Sequence, residues 1–140
     1  MSLILMRRVP RVSALLACLL VGACASGARD RAQLAERLED FDRAVVEYTH
    51  ALQDRPNDPS LRRDLERARL RAAQQHYAEG RRHAGLGNYD EALVEYQIAA
   101  EMNPLSGEIQ DAVRETRRAV QTRLEARAEG QTALEALVER

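Results

Sequence analysis

Two stretches of the chain carry the same residue pattern at one constant separation, and this recurrence constrains the fold more than any other feature. Each pattern consists of an aromatic residue, an Ala, a Tyr, a second Ala and a Pro. The residues are Phe41, Ala44, Tyr48, Ala51 and Pro56 in the first stretch, and Tyr89, Ala92, Tyr96, Ala99 and Pro104 in the second. The separation of Phe41 from Tyr89, here called the repeat offset, is the same for all five pairs, which predicts an internal repeat.

The second stretch, extended to residues 77–104, predicts two helices joined by a tight turn at Gly87. Small residues, among them Gly80, lie where the two helices must touch. This pattern resembles the tetratricopeptide repeat, a helix–turn–helix unit whose signature includes an Ala four residues before an aromatic residue and a closing Pro. In the first stretch the resemblance is less complete, because Ala32 and Glu39 stand in place of the two glycines.

The repeat offset is longer than the period of the family, which is about 34 residues. The surplus is predicted to lengthen the helix that follows each closing proline. Asp58-Pro59 is typical of a helix start, and apolar or small residues then recur every three or four positions up to about Leu86. Ser106 is predicted to begin a comparable helix, whose pattern is interrupted at Gly130. Together with the resemblance, these patterns predict an all-α fold, a short α-solenoid of tetratricopeptide-like hairpins with extended connecting helices.

Residues 1–23 differ in kind from the rest of the chain and are predicted to be a signal peptide. Three Arg precede an apolar run over residues 12–21, which is too short to cross a bilayer. The sequence Val21-Gly22-Ala23-Cys24 resembles the lipobox of bacterial lipoproteins, which implies cleavage before Cys24 and attachment of acyl chains to that residue. The alternatives are an ordinary signal peptide and an uncleaved anchor.

The resemblance to lipoproteins also implies a location. Ala25, rather than Asp, follows the cysteine, which in Gram-negative families resembles cargo of the outer membrane. We therefore expect a lipid-anchored protein of the bacterial cell envelope, on the inner face of the outer membrane and facing the periplasm. The predicted order is the signal peptide over 1–23, a lipidated tether over 24–29, a degenerate hairpin over 30–56, a long helix with a hairpin over 58–104, and a long helical segment over 106–140.

Composition and the arrangement of polar residues argue against several functions. All 21 basic residues are Arg, the net charge is −1, and both signs are interspersed, so no basic stripe is available for a nucleic acid. His76 and His83 lie about 10 Å apart on one helix, too far to bind one metal ion. Gly85-Leu86-Gly87 follows a helix and is a turn rather than a phosphate loop. The sequence therefore predicts no enzyme activity, no metal and no cofactor.

The recurring residues, together with Gly80 and Gly87, are predicted to pack the hairpins. In the tetratricopeptide family, partners lie in the concave groove along the first helix of each hairpin, and the resemblance implies this role for Gln74, Tyr77 and Arg81. Tyr77 offers a flat contact, and Arg81 offers a bidentate donor to a carboxylate. An ordinary solvated helix face is the alternative interpretation of these three residues.

The predicted function is that of a membrane-anchored scaffold or adaptor, which mediates protein–protein interactions in the cell envelope. One alternative is the N-terminal module of a secretin, in a type II secretion or pilus assembly system, because some secretins resemble this combination of a lipobox, two hairpins and long helices. A second alternative is a periplasmic chaperone or a regulator of cell-wall enzymes. The expected partners are envelope proteins and the membrane itself, and self-association is left open.

Overall fold

The computed structural model describes residues 27–138, and side chains over residues 27–131. Within this range the chain consists of α-helices joined by short turns, without a strand, which confirms the predicted all-α class. Helix α1 covers residues 27–37 of the described chain, and the later helices are α2 (Phe41–Asp54), α3 (Pro59–Gly85), α4 (Tyr89–Met102) and α5 (Gly107–Val138). The predicted signal peptide over 1–23 and the lipidation residue Cys24 lie outside the described residues.

The recurrence extends from the sequence to the backbone. Helices α2 and α4 each contain 14 residues and begin one repeat offset apart, at Phe41 and Tyr89. Helices α3 and α5 also begin one repeat offset apart. The turns repeat their hydrogen bonds in the same way, since Asp40 N–H donates to Ala35 O (2.9 Å) and Asn88 N–H donates to His83 O (3.0 Å). Because the helix starts and the turn hydrogen bonds recur at the same offset, the sequence repeat is also a repeat of backbone structure.

The two long helices begin with side-chain caps, as Asp58 and Ser106 predict. The Asp58 Oδ1 accepts hydrogen bonds from the Ser60 hydroxyl (2.7 Å) and from the backbone N–H groups of Ser60 (2.9 Å) and Leu61 (3.3 Å). The pKa of Asp58 is lowered by these bonds, above all by the one from the Ser60 hydroxyl. The hydroxyl of Ser106 accepts from the Ile109 N–H (3.4 Å). Such caps satisfy backbone donors that the first turn of a helix leaves free.

The chain divides into two compact units, Met1–Ala68 and Arg69–Arg140, with the division inside α3. In the described part of the first unit, the buried side chains come from α1, α2 and the start of α3, and Tyr48 and Leu61 are the largest that are fully buried. In the second unit, Ala73, Ala99 and Ile109 form one buried cluster, and Ala92, Tyr96 and Val113 form another. Both cores pair alanines with a few large side chains, so the helices approach one another closely.

Three details differ from the predictions. Helix α5 continues through Gly130 to Val138, because a single glycine weakens a helix by about 1 kcal/mol without breaking it. Residues 27–29, predicted as the end of the tether, are already helical. Pro56 and Pro104, predicted to pack the hairpins, are exposed and lie in turns beyond helix ends, where proline cannot continue a helix.

The turn between α1 and α2 places a residue other than glycine in the left-handed backbone region. Glu39 has a φ of 59°, and its counterpart in the second unit, Gly87, has a φ of 76°. This conformation is unfavourable for a side chain with a Cβ atom, by roughly 1–2 kcal/mol. The first unit therefore contains a strained turn that the second unit avoids.

Replacing Glu39 by Gly is expected to raise the free energy of unfolding by about 1 kcal/mol, because glycine adopts positive φ without strain. Chemical denaturation monitored by circular dichroism measures the change. Glu39→Ala is the matched control, since it removes the same carboxylate and keeps the Cβ atom. Equal stabilisation by both variants would attribute the effect to the lost charge and contradict the backbone explanation.

Candidate functional site

A groove with a volume of about 780 Å³ lies in the second unit, between the second half of α3, α4 and the first half of α5. Its walls combine tyrosines, one arginine and three carboxylates, with small residues between them. The polar and aromatic lining residues that the following paragraphs use are Tyr77, Arg81, Tyr89, Tyr96, Glu108, Asp111 and Glu115. Sequence reasoning predicted Tyr77 and Arg81 as contact residues, and both line this groove.

Two tyrosine rings form the aromatic part of the groove. The rings of Tyr77 and Tyr96 have centroids 5.5 Å apart and are tilted by 42°, a geometry that favours aromatic contact. The Tyr77 hydroxyl donates to Glu108 Oε1 at 2.8 Å, which connects α3 to the first turn of α5. Burial, followed by this hydrogen bond, raises the pKa of Tyr77 above its usual value. Tyr77 is therefore fixed in position by its neighbours and does not extend freely into solvent.

Tyr96 is held against α3 by the absence of a side chain at Gly80. A Cβ atom at Gly80 would lie 2.6 Å from both Cδ1 and Cε1 of the Tyr96 ring, closer than van der Waals contact permits. Tyr96 is only 4% exposed, yet its hydroxyl makes no hydrogen bond with any residue the structure describes. The ring is buried, whereas its hydroxyl keeps access to solvent at the groove wall, where it can bond to water or to a ligand.

Charges of opposite sign face the groove without pairing to each other. Arg81 makes no ion pair with the described residues, and its positive charge partly opposes the burial that raises the pKa of Tyr77 and Tyr96. On the α5 wall, Glu115 has no hydrogen bond or ion pair within 27–131, whereas Asp111 pairs with Arg114. The negative charge of Glu115 contributes to raising the pKa of Tyr96, after burial, so the carboxylate lies near that ring. The α3 wall thus offers the N–H donors of Arg81, and the α5 wall offers the carboxylate oxygens of Glu115 as acceptors.

The first unit carries different side chains at the equivalent positions, one repeat offset earlier. Arg29 corresponds to Tyr77, Tyr48 to Tyr96, and Arg67 to Glu115. Two further positions change from carboxylates to small residues: Glu36 corresponds to Ala84, and Asp64 to Ala112. Both alanines line the groove of the second unit, so the groove exists in part because these two carboxylates are absent.

In the first unit these side chains bind one another. The Tyr48 hydroxyl donates to Glu36 at 2.9 Å, and Arg67 bridges Glu36 (3.4 Å) and Asp64 (2.9 Å). Arg29 adds a second ion pair to Asp64 at 3.1 Å. The pKa of Tyr48 is raised to about 12, first by burial and then by the hydrogen bond to Glu36. In the first unit the Tyr48 hydroxyl has an interhelical partner, Glu36, whereas the hydroxyl of its counterpart, Tyr96, makes no hydrogen bond with a residue that the structure describes.

Other sequence-predicted residues lie apart from the groove or have structural roles. Gln74 is exposed and does not line the groove. The Nδ1 atom of His76 lies 2.6 Å from Glu95 Oε2, which joins α3 to α4. Among residues 27–131, no group of three His, Cys, Asp or Glu side chains is placed to hold a metal ion.

Sequence reasoning missed the acidic wall. Glu108, Asp111 and Glu115 recur at intervals of three and four residues at the start of α5, so they share one helix face. The spacing of these three acidic residues is visible in the sequence. Their position opposite two tyrosines is known only from the structure. Nothing in the sequence of α5 alone distinguishes it from a solvated face.

No helix within residues 27–138 is both long and apolar enough to cross a membrane. Comparison with known proteins assigns the chain to no class: no protein-family model matches it, and no curated protein matches it significantly.

Proposed function

We propose that this chain is a membrane-anchored adaptor of the tetratricopeptide type, which holds a segment of an envelope protein in the groove of its second unit. The observation that carries the proposal is the contrast between the two units. The first unit uses Glu36 to satisfy the Tyr48 hydroxyl, whereas the equivalent residue, Tyr96, lines an open groove. A segment of another protein would supply a hydrogen-bond partner for the Tyr96 hydroxyl.

The groove suits a peptide segment because it combines a flat aromatic surface with polar groups of both kinds. The Arg81 guanidinium and the Tyr96 hydroxyl can donate to a carbonyl or carboxylate of the segment, and Glu115 can accept from an N–H group. Tyrosine and arginine contribute disproportionately to protein interfaces because they bury large areas with few rotatable bonds or with several donors. We propose binding rather than catalysis for this set of side chains.

The tetratricopeptide assignment rests on the repeated helix pairs and their small-residue contacts. In each unit a buried alanine lies four residues before a buried tyrosine on the second helix: Ala44 and Tyr48 on α2, and Ala92 and Tyr96 on α4. In the second unit the residue that faces this tyrosine from the preceding helix is small, since it is Gly80. The membrane anchor rests on the sequence around Cys24 alone. Location on the periplasmic face of the outer membrane is part of the same proposal.

Site-specific photo-crosslinking in the host cell tests the groove as the binding site. A photo-reactive residue in place of Ala119, which lines the groove, is expected to give a discrete protein adduct in the membrane fraction. The same probe in place of Arg118, which is exposed and outside the groove, should not. Arg81→Ala should reduce the adduct from position 119 by about fivefold or more, equivalent to roughly 1 kcal/mol of binding.

Arg82→Ala is the matched control for Arg81→Ala, because Arg82 lies on the same helix and pairs with Glu79 outside the groove. Adduct yields that fall equally in both variants would assign the effect to net charge and not to the groove. The intact mass of the same membrane-extracted protein should correspond to a chain beginning at Cys24 and carrying acyl groups. An unmodified N-terminus would overturn the anchor.

An observation outside the groove would favour the secretin alternative or a structural role. Every side chain of α5 over residues 121–131 is exposed, so this part of the helix offers a long surface of its own. Crosslinks confined to positions 121–131, with none from position 119, would place the interaction on this helix and reject the groove.

A further inference from the structure

We infer that the segment bound in the groove presents a basic side chain, Arg or Lys, which donates to the Tyr96 hydroxyl and pairs with Glu115. The inference rests on the proposed function, since it names the chemistry of the ligand for that same groove. It follows from three observations: the charge of the α5 wall, the accessible Tyr96 hydroxyl, and the arrangement in the first unit.

The α5 wall of the groove is acidic, whereas its counterpart in the first unit is basic. Glu108, Asp111 and Glu115 line the groove, and the equivalent positions in α3 are Ser60, Arg63 and Arg67. Arg81 is the positively charged residue among those that line the groove, so the lining carries more negative than positive charge. Charge complementarity therefore favours a cationic ligand group.

Glu115 is the carboxylate of this wall whose charge is least compensated. Asp111 pairs with Arg114 on its own helix, and Glu108 accepts the hydrogen bond of Tyr77. Glu115 has no such bond among the described residues, and Arg81, on the opposite wall, forms no ion pair with it. A ligand cation placed between the α5 wall and the rings would reach Glu115 without displacing an existing pair.

Tyr96 provides the second, independent indication of a ligand. Its side chain is almost completely buried at 4% exposure, its hydroxyl lacks a partner within the described chain, and it lines the groove. A guanidinium or ammonium group in the groove can donate to this hydroxyl.

The first unit demonstrates that this fold holds a guanidinium between its helices. Arg67 lies between Glu36 and Asp64 and contacts both carboxylates, whose side chains are 14% and 15% exposed. In the second unit the arginine position is acidic, and both carboxylate positions are alanine. The polarity is reversed and the space is vacated, and a ligand cation would supply the positive charge that Arg67 provides in the first unit.

Fluorescence anisotropy with two labelled peptides tests the inference on the full lipidated protein in detergent micelles. One short peptide carries Arg residues in an Ala and Gly background, and the other carries Glu at the same positions. At low ionic strength the Arg peptide should bind about tenfold more tightly than the Glu peptide, and this difference should shrink as salt is added. Glu115→Gln should weaken the Arg peptide by about two- to fivefold.

Glu125→Gln is the matched control, because Glu125 is an exposed residue of the same helix that contacts Gln121 away from the groove. It should leave the affinity for both peptides unchanged. The double variant Ala84→Glu with Glu115→Arg introduces the counterparts of Glu36 and Arg67, and it should keep its helicity and bind the Arg peptide at least about tenfold more weakly.

The outcomes separate this inference from the proposed function. Tighter binding of the Glu peptide, or equal loss in the Glu115→Gln and Glu125→Gln variants, would overturn the basic ligand and leave the groove as a binding site. Failure of both peptides to bind would also overturn it. If the crosslink from position 119 were absent as well, the groove itself would be rejected.

Discussion

Replacing Tyr48 by Ala is expected to lower the free energy of unfolding by about 3–5 kcal/mol, the usual cost of removing a large buried aromatic side chain. Tyr48 is fully buried and is one of the two largest side chains of which this is true among the described residues. The variant would leave a cavity in the buried core of the first unit and would remove the donor to Glu36. Denaturant unfolding monitored by circular dichroism measures the loss.

Two further variants separate the ring from its hydroxyl. Tyr48→Phe keeps the packing and removes the hydrogen bond, so it should cost only about 0.5–1.5 kcal/mol. Because burial raises the pKa of folded Tyr48 from 10.0 to about 12, the stabilisation by its neutral form is present below pH 10 and is lost as pH rises towards 12. Tyr48→Phe should flatten that part of the stability profile. Val46→Ala, at an exposed position of the same helix, should have little effect, and a comparable loss there would contradict the argument.

Replacing Gly80 by Ala should destabilise the second unit although alanine favours helices. The new Cβ atom would meet the Tyr96 ring at 2.6 Å, and overpacking of this kind costs about 1–3 kcal/mol. Higher helix propensity returns up to about 1 kcal/mol, so a net loss of roughly 1–2 kcal/mol is expected from thermal or denaturant unfolding.

Gly85→Ala provides the opposite expectation on the same helix. Nothing lies within 4 Å of a Cβ atom at Gly85, so this variant should be neutral or stabilising by up to about 1 kcal/mol. If both alanines stabilised the protein, the Tyr96 ring would have to move into the groove at no cost. The close contact at Gly80 would then not determine the packing of α3 and α4.

The helices were predictable because their causes are local. Asp58-Pro59 contains its own capping group and its own helix-starting proline, so the start of α3 follows from adjacent residues. The repeat of Ala and Tyr four residues apart likewise places both side chains on one face without knowledge of the partner helix. The predicted interruption at Gly130 was wrong, because the weak helix preference of one glycine does not outweigh the helical pattern on both sides of it.

The groove was less predictable because it depends on pairs of side chains from different helices. Tyr77 and Arg81 could be placed by resemblance to a family, but Glu115 acquires its meaning only opposite Tyr96. The cavity itself follows from alanines at positions 84 and 112, which look like ordinary helix-forming residues. Their counterparts in the first unit are Glu36 and Asp64, so the second unit lacks two carboxylates. Recognising this requires an alignment of the two units.

Helix α3 contributes buried residues to both units, Leu61 and Leu65 to the first and Ala72 and Ala73 to the second. Helix α5 begins one repeat offset after the start of α3. Ala32, Gly80 and Ala128 occupy equivalent positions that are separated by the same offset. This regular spacing can guide the design of longer versions of the protein. Inserting another copy of the segment from the start of α3 to the start of α5 would add one unit, so the length of the array becomes an adjustable design variable in steps of one module.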